Sequence, residues 1–331
     1  MRAIRFHAYG PPEVLQVEQI LVPTLRPNDV LVEVHATAVN PIDCKIRAGL
    51  QRAVVRIGLP WTLGLDLSGV VTALGSAVRR FRIGDRVYGS PTHDRPGAYA
   101  EYIAVDADLL ARKPANLTHA EAAAVPLVAL TATQALDAGG VGQGSRVLVL
   151  AGAGGVGSMA IQLARHRGAH VVATAGAEQA DLVRRLGAER AIDFRTQPVW
   201  REVADLDFVL CTLGSGERMR ALGAVHRGGT VVSLVADIPR YTARFGPAVG
   251  LLVAAASTGR FWAAGQIRHR RAVQLTRRSD GHALERLTPL FESGAIRPVI
   301  DRILPLDQVV EAHRISEAGQ AAGKLVLLVR G

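Results

Sequence analysis

The sequence predicts an α/β protein made of a β-rich domain and a second domain with a doubly wound parallel sheet. Three observations lead to this prediction. The chain has 331 residues, enough for about two domains at roughly 150 residues each. Short strand-like runs between Gly, Pro and Asp turns occupy residues 1–110, and from about residue 120 helical and strand-like segments alternate.

The N-terminal third carries the signs of the β-rich domain. The apolar runs Val30–Val34 and Gly69–Leu74 lie near turn-forming segments at Arg26–Asp29 and Ile83–Arg86. Short runs separated by such turns are typical of a barrel or a sandwich.

The alternating part begins with an Ala-rich helical stretch, His119–Leu136. Four apolar strands follow it, with helical segments between them: Arg146–Leu150, His170–Thr174, Phe208–Cys211 and Thr230–Val235. This alternation predicts a parallel sheet with helices on both faces.

The C-terminal part holds a helical stretch after Gly281, the segment Ile296–Pro305 and a final strand, Lys324–Val329. We expect this last segment to return to the first domain. The predicted domains are therefore 1–121 with 282–331 for the β-rich domain, and 122–281 for the parallel-sheet domain.

The composition is that of a globular protein, with 49% apolar and 21% charged residues, which excludes long disorder and fibrous structure. The net charge is 39 − 29 = +10. It concentrates only in Gln266–Arg278, where no zinc-finger or RNP-type motif accompanies it. We predict a solvated Arg-rich face there, with nucleic-acid binding as the alternative.

The cellular location is predicted from three absences. Cys44 and Cys211 are the only cysteines, and their distance in the chain gives neither a disulfide framework nor a CxxC metal spacing. The N-terminus lacks the apolar run of a signal peptide, and the longest apolar stretch, Pro247–Ala256, is too short to span a bilayer. These features predict a cytoplasmic protein.

The strongest local motif is a glycine-rich turn between a strand and a helix. The strand Arg146–Leu150 runs into Gly152–Gly157 (GAGGVG), and the predicted helix Ser158–Arg167 follows. The three spaced glycines allow a tight turn, a close approach to a pyrophosphate and close packing of the helix, whose N-terminus attracts the anion. The motif predicts a dinucleotide-binding Rossmann domain. The predicted phosphate-binding residues are Gly152, Gly154, Gly155, Val156 and Gly157.

Cofactor selectivity is read at the end of the second Rossmann strand. The segment Val172–Gly176 ends there without a carboxylate to accept hydrogen bonds from the ribose hydroxyls. Glu178 comes two residues later and matches the first turn of the next helix, where its charge suits the helix dipole. The sequence therefore favours NADPH over NADH. Arg184, Arg185 and Arg195 are candidates for the extra phosphate or, alternatively, surface charges.

Taken together, these residues resemble the medium-chain dehydrogenase/reductase superfamily and, within it, the zinc-free quinone oxidoreductase (zeta-crystallin-like) family. The resemblance covers essentially the whole chain. Besides the glycine turn it rests on Ala38–Gly49, Gly84–Gly89, Gly97–Tyr102, Ala122–Ala132, Gly228–Val232, Ile296–Arg302 and Gly323–Leu327.

The resemblance implies a GroES-like β domain from the N-terminal third and the C-terminal tail, a Rossmann domain, and an active-site cleft at their junction. It implies hydride transfer from NADPH to a quinone or to the activated double bond of an enone or alkenal, in a homodimer or homotetramer. In zinc-dependent relatives a cysteine ligand aligns with Asn40 and a His-Glu pair with Leu65-Asp66. Because those ligands are replaced here, we predict no metal.

The resemblance also assigns residues near the nicotinamide. Asn40 stands where an asparagine near the nicotinamide ribose is expected, with a buried turn as the alternative role. Thr131 stands where a threonine contacts the nicotinamide end, with an ordinary helix hydroxyl as the alternative. Lys45 stands beside the cofactor where tyrosine is common, with a surface ion pair to Asp43 as the alternative.

At the adenosine end the chain departs from the family. Gln179 stands where many relatives have a lysine for the 2′-phosphate, and Phe194 where a tyrosine is common. Gln179 can still donate to a phosphate and Arg195 follows Phe194 directly, so we assign Gln179 and Arg195 to the cofactor. Thr174 and Lys324 are assigned to it as well.

The expected chemistry needs mainly positioning, because the cofactor carries the hydride. Asn40 and Lys45 are the candidate donors to the oxyanion that develops on the acceptor. Tyr99 and His93, in a loop expected to rim the cleft, are weaker candidates. The alternatives to a reductase are a non-catalytic dinucleotide-binding sensor or scaffold and a zinc-independent alcohol or aldehyde oxidoreductase.

Substrate choice is assigned to the parts of the chain least like the family. These are Ile57–Leu63, Pro91–Pro96 and Ile238–Ala264. The last segment adds the aromatic side chains of Tyr241, Phe245, Phe261 and Trp262, for which we expect either a flat apolar slot or ordinary core and dimer packing.

Overall fold

The computed structural model describes residues 1–330. The chain divides into two compact units: the first is Met1–Leu130 with the segment that begins at Arg278, and the second is Thr131–Arg277.

The N-terminal part of the first unit consists of eight strands and two helices. They are β1 (Arg2–Phe6), β2 (Gln16–Gln19), β3 (Asp29–Val39), α1 (Pro41–Arg47), β4 (Trp61–Thr62), β5 (Leu67–Leu74), β6 (Arg86–Gly89), β7 (Tyr102–Asp106), β8 (Leu110–Arg112) and α2 (His119–Ala123). Strands β1, β2 and β4 form a small antiparallel sheet, and the other five belong to a seven-stranded sheet. The predicted β-rich fold is confirmed.

The Ala-rich stretch predicted as one helix is two helices. Thr118 and Glu121 form a capping box that begins α2. Helix α2 ends at Ala123, and α3 begins afresh at Pro126 and runs to Gly139. Proline lacks the N–H that would continue a helix and disfavours helical backbone at the residue before it, which explains the break.

The second unit contains a six-stranded sheet and the helices between its strands. Its elements are β9 (Arg146–Val149), α4 (Gly155–His166), β10 (His170–Ala175), α5 (Ala180–Arg185), β11 (Arg190–Asp193), α6 (Val199–Glu202), β12 (Leu206–Cys211), α7 (Ser215–Ala224), β13 (Val225–Ser233), α8 (Ile238–Phe245), α9 (Pro247–Ile267) and β14 (Arg271–Gln274). The strand order is β11-β10-β9-β12-β13-β14, and every pair is parallel. This order is that of a Rossmann fold, so the predicted fold class is confirmed.

The C-terminal segment adds α10 (Gly281–Glu292), β15 (Ile300–Pro305), α11 (Val309–Glu317) and β16 (Lys324–Leu328). Strand β16 pairs antiparallel with β3, with Val326 opposite Ala38, and β15 pairs parallel with β16. The last strand of the chain thus lies beside one of the first strands.

The unit boundaries follow Leu130 and Arg277, whereas the sequence suggested residues 121 and 281. The first difference has a physical reason, since α2 packs on β3 and β5 of the first unit. The first unit therefore includes α2, and its boundary lies inside α3. Within residues 1–330 no helix is both long and apolar enough to cross a membrane.

Candidate nucleotide and active site

The glycine turn lies at the carboxyl end of β9, between that strand and α4. Gly154 is the N-cap of α4, and no side chain caps the helix. Thr174, at the end of β10, holds the turn, because its Oγ1 accepts from the Ala151 N–H at 2.9 Å and its carbonyl accepts from the Gly152 N–H at 2.7 Å. Because the first N–H groups of a helix have no partner inside it, the start of α4 is suited to an anion.

The glycines of the turn differ in what surrounds them. A Cβ on Gly157 would lie 2.2 Å from the Ala151 carbonyl oxygen, and a Cβ on Gly152 would lie 2.8 Å from the Cβ of Ala173. A Cβ on Gly154 would meet only that same carbonyl oxygen, at 3.4 Å. Gly152 and Gly157 are therefore needed for packing, whereas Gly154 leaves open space. A pyrophosphate approaching the backbone would need that space, so the turn fits a dinucleotide.

At the carboxyl end of β10 lies an ion pair that the sequence analysis did not predict. Arg195 Nη1 is 2.9 Å from Glu178 Oε1 and 2.8 Å from Glu178 Oε2. Glu178 is in a 3₁₀ turn, Ala177–Gln179, and not in the first turn of α5 as expected. Gln179 ends that turn, and the Arg195 guanidinium stacks on Phe194 with its Cζ 5.1 Å from the ring centre. The other candidate for which the structure gives a partner, Arg184, pairs with Asp181 on α5.

Asn40 is part of a buried network in the first unit. Its Nδ2 donates to Asp66 Oδ2 at 2.9 Å, and its Oδ1 accepts from Lys324 Nζ at 2.5 Å. Lys324 Nζ also contacts Asp66 Oδ2 at 3.0 Å and the Val39 carbonyl at 3.3 Å. Asp66 Oδ1 accepts from the Leu127 N–H at 2.7 Å. We call Asn40, Asp66 and Lys324 the buried triad.

The buried triad is internally saturated. Lys324 has three N–H donors, and the three contacts above use all of them. Its ammonium could reach a ligand only by giving up one of these bonds, and the contact of Lys324 with the cofactor stays a prediction. Sequence reasoning missed the pair because Asp66 and Lys324 lie 258 residues apart, and only the pairing of β16 with β3 brings them together.

Tyr99 and Asp43 lie beside the triad, and both are fully buried. The Tyr99 hydroxyl is 3.3 Å from His313 Nε2, so Tyr99 is a core residue and not the residue of a cleft rim that the sequence suggested. Asp43 accepts from the N–H groups of Asn40 at 3.0 Å and Gly64 at 3.3 Å. Within residues 1–330 it forms no ion pair with Lys45, the alternative role of that lysine.

Burial shifts the pKa values of these groups in opposite directions. Loss of solvent is the main cause that raises the pKa of the Asp43 carboxyl to about 7; the Asn40 N–H and Lys324 oppose the shift and nearby Asp66 supports it. Burial, with a smaller contribution from the Arg47 charge, lowers the pKa of His313 to about 3. His313 Nδ1 has no hydrogen-bond partner in the described chain, so nothing compensates a charge on the ring.

The pKa of His313 predicts how its replacement changes acid stability. Between pH 6.5 and pH 4 the unfolded chain binds a proton at this histidine and the folded chain does not, so the residue lowers stability as the pH falls. Asp43 has the opposite effect, since its raised pKa makes the folded chain take up the extra proton. Between pH 7 and pH 4.5 we therefore expect the free energy of unfolding of the wild type to fall by about 2–3 kcal/mol more than that of His313→Gln. Urea unfolding at both pH values measures it.

A matched control for this prediction is His170→Gln. His170 is exposed and pairs with Glu189 on the surface, so its replacement controls for the loss of a histidine without the loss of a buried ring. An equal effect of His313→Gln at pH 7 and pH 4.5 would contradict the prediction.

The remaining predicted residues lie apart from the triad's hydrogen bonds. Lys45 is a partly exposed residue of α1, and within the described part of the chain no ion pair is formed by its ammonium group. Thr131 is buried in α3. His93 is exposed in the loop after β6.

The aromatic side chains of the segment Ile238–Ala264 differ in exposure, and Tyr241 is half-buried. Phe261 is fully buried in the core of the second unit, where the Arg218 guanidinium lies 5.1 Å from its ring centre. Phe245 and Trp262 are exposed by 43% and 52%, so they are not core residues. No group of three His, Cys, Asp or Glu side chains within residues 1–330 is arranged to hold a metal ion.

Comparison with known proteins gives matches over the whole chain. The model of the alcohol dehydrogenase GroES-like domain matches residues 26–115, and that of a zinc-binding dehydrogenase matches residues 186–327. The chain is 36% identical to a 2-methylene-furan-3-one reductase of Solanum lycopersicum, over 99% of this chain and 79% of that protein. It is 35% identical to a chloroplastic NADPH-dependent alkenal/one oxidoreductase of Arabidopsis thaliana, with the same coverage.

Among solved structures the chain is similar to the quinone oxidoreductase from Coxiella burnetii. The TM-score is 0.89 and the sequence identity 35%, over 100% of this chain and 99% of that one.

Proposed function

Since the chain belongs to the quinone oxidoreductase family of the medium-chain dehydrogenase/reductase superfamily, we propose that it is an NADPH-dependent reductase of quinones or of the activated double bond of enones and alkenals. The observation that carries the proposal is the glycine turn, whose open space at Gly154 and uncapped helix start suit a dinucleotide pyrophosphate. The names of the relatives in tomato and Arabidopsis support the acceptor class and the cofactor.

The residues proposed to hold the cofactor come from two parts of the chain. Gly152, Gly154, Gly155, Val156 and Gly157 take the pyrophosphate, Thr174 shapes the turn, and Gln179 and Arg195 take the adenosine phosphate. Asn40 and Thr131 take the nicotinamide end, with Lys324 acting through Asn40. Lys324 and Asp66 fix both polar ends of the Asn40 amide, so its orientation is set before a ligand arrives.

NADPH, when bound, supplies the hydride. Each hydride added to a quinone or enone leaves negative charge on the acceptor oxygen, and the product needs one proton for each hydride. We propose that the Lys45 ammonium stabilises that oxygen and donates the proton, which solvent then replaces. Within residues 1–330 the Lys45 ammonium forms no ion pair, and Asp43, two residues before it, accepts from the N–H groups of Asn40 and Gly64 instead.

The experiment that tests the function is NADPH consumption by the purified protein against quinones, alkenals and cyclic enones. We expect turnover with at least one class, and a fall in kcat of about 10²-fold for Lys45→Met, since removing one oxyanion donor has effects of that size. The melting temperature should not change. Arg52→Met, a nearby exposed position, is the matched control and should keep full activity.

Three other outcomes would contradict the proposal. Saturable NADPH binding without turnover would favour the sensor or scaffold. NADP⁺ reduction by alcohols without reduction of any acceptor would favour the alcohol oxidoreductase. Unchanged turnover in Lys45→Met would remove Lys45 from the mechanism.

For the surroundings of the enzyme we propose a small-molecule quinone or enone as its partner, a homodimer or homotetramer as its assembly, and the cytoplasm as its location. The absence of a metal is also proposed. Asp66, at the position of a ligand in zinc-dependent relatives, supports it by using its carboxylate for Asn40, Lys324 and the Leu127 N–H.

A further inference from the structure

Glu178 and Arg195 form their ion pair at the place where a Rossmann fold reads the adenosine ribose. Strands β10 and β11 are parallel neighbours, with Ala175 opposite Asp193. Glu178 follows the end of β10 and Arg195 follows the end of β11, so both lie at the carboxyl edge of the sheet. A Cβ on Gly176 would lie 2.3 Å from Arg195 Nη1 and 2.7 Å from both Glu178 oxygens. The ion pair therefore lies directly over Gly176.

The two side chains suit two different cofactors. A carboxylate at this edge accepts hydrogen bonds from the free ribose hydroxyls of NADH, and an arginine binds the 2′-phosphate of NADPH. Most sites need one of the two. This chain has both side chains, and they are paired with each other, because one guanidinium nitrogen contacts both carboxylate oxygens.

The pair is weak enough to open. Its side chains are 55% and 54% exposed, and exposed ion pairs of this kind contribute little to stability because water screens them. A phosphate dianion offers Arg195 more charge and more acceptor oxygens than one carboxylate does. The other charged group close to Arg195, Asp193, already accepts from its backbone N–H at 3.0 Å, and Gln179 adds no charge.

We propose that Glu178 sets the cofactor selectivity of this chain by competing with the 2′-phosphate for Arg195, so that the site binds both NADPH and NADH. The inference rests on the proposed function for its cofactor. With NADPH, Arg195 leaves Glu178 for the phosphate. With NADH, the pair stays closed and Glu178 accepts from the ribose hydroxyls. Glu178 thus weakens NADPH binding and supports NADH binding.

The test is a calorimetric titration of adenosine 2′,5′-bisphosphate and of 5′-AMP, which carry the two adenosine ends and need no turnover. We expect Glu178→Gln to bind the bisphosphate about 3–10-fold tighter, because the competitor for Arg195 and a repelling charge are both removed. Its affinity for 5′-AMP should fall or stay the same. Arg195→Gln should lose about 10–100-fold for the bisphosphate and less than about 2-fold for 5′-AMP.

Arg220→Gln is the matched control, since Arg220 is another exposed arginine in an ion pair with a nearby carboxylate, that of Glu217 on α7. It should leave both affinities unchanged. A bisphosphate affinity in Glu178→Gln equal to or below that of the wild type would overturn the inference, as would an equal gain for 5′-AMP. Absence of turnover with every acceptor would contradict the proposed function alone, because these affinities are measured without an acceptor.

Discussion

Gly154→Val is expected to abolish NADPH binding and leave the fold intact. The backbone at Gly154 has φ −74° and ψ 169°, an extended conformation that valine adopts readily. A Cβ there has only one neighbour within 4 Å, at 3.4 Å, so the side chain is accommodated. It then occupies the space over the start of α4 that the pyrophosphate needs. We expect the NADPH affinity to fall by at least about 100-fold, or about 2.7 kcal/mol.

Gly157→Ala serves as the contrasting variant. Its Cβ would lie 2.2 Å from the Ala151 carbonyl oxygen and 2.8 Å from the Gly152 Cα. These are backbone atoms, so α4 must move away from the turn, at a cost of about 1–3 kcal/mol. Thermal unfolding and NADPH fluorescence titration of both variants separate the two effects. Retained affinity in Gly154→Val would show that the pyrophosphate does not need the space at Gly154. A fall in melting temperature as large as that of Gly157→Ala would show that Gly154 has a packing role.

The elements that sequence alone predicted are those determined by local pattern. The glycine turn lies between a strand and a helix as expected, and β9, β10 and β12 begin or end within about two residues of their predicted bounds. Hydrophobic runs and turn residues act over a few positions, so one sequence suffices to find them. The break at Pro126 belongs to the same class, and a stricter use of the proline rule predicts it.

The parts that sequence did not predict depend on contacts between distant residues. Glu178 was interpreted as a helix-dipole charge, because nothing in the sequence places Arg195 against it. Tyr99 was placed on a cleft rim, whereas it packs in the core against His313, 214 residues away. Phe261 and Trp262 are adjacent in the chain and have opposite environments, since successive residues of a helix point in different directions. The composition of the segment does not carry that information.

Removal of one partner from the buried triad is expected to be strongly destabilising, because it leaves a polar group buried without its partner. Lys324→Met should lower the free energy of unfolding by about 3–5 kcal/mol, because it leaves the Asp66 carboxylate buried without its cation. The Asp66 side chain is 0% exposed and that of Lys324 5% exposed, so water cannot replace the lost partner. Urea unfolding at pH 7 measures the loss.

A double-mutant cycle tests whether the loss comes from the pair. Asp66→Asn removes the charge and keeps an oxygen for the Leu127 N–H, so Asp66→Asn/Lys324→Met should be less destabilised than the two single variants added together, by at least about 2 kcal/mol. Lys113→Met is the control for burying a methionine. Lys113 is also buried, but its ammonium contacts only the carbonyls of Pro114 and Leu117, so its removal leaves no uncompensated charge.

Additive effects in the cycle would mean that Asp66 does not depend on Lys324 for its stability in the core. Its carboxyl would then be held by Asn40 and the Leu127 N–H alone. In that case the loss in Lys324→Met should equal that in Lys113→Met. The same ammonium orients the Asn40 amide. Lys324→Met should therefore lose both stability and NADPH turnover, and the double variant should lose only part of each.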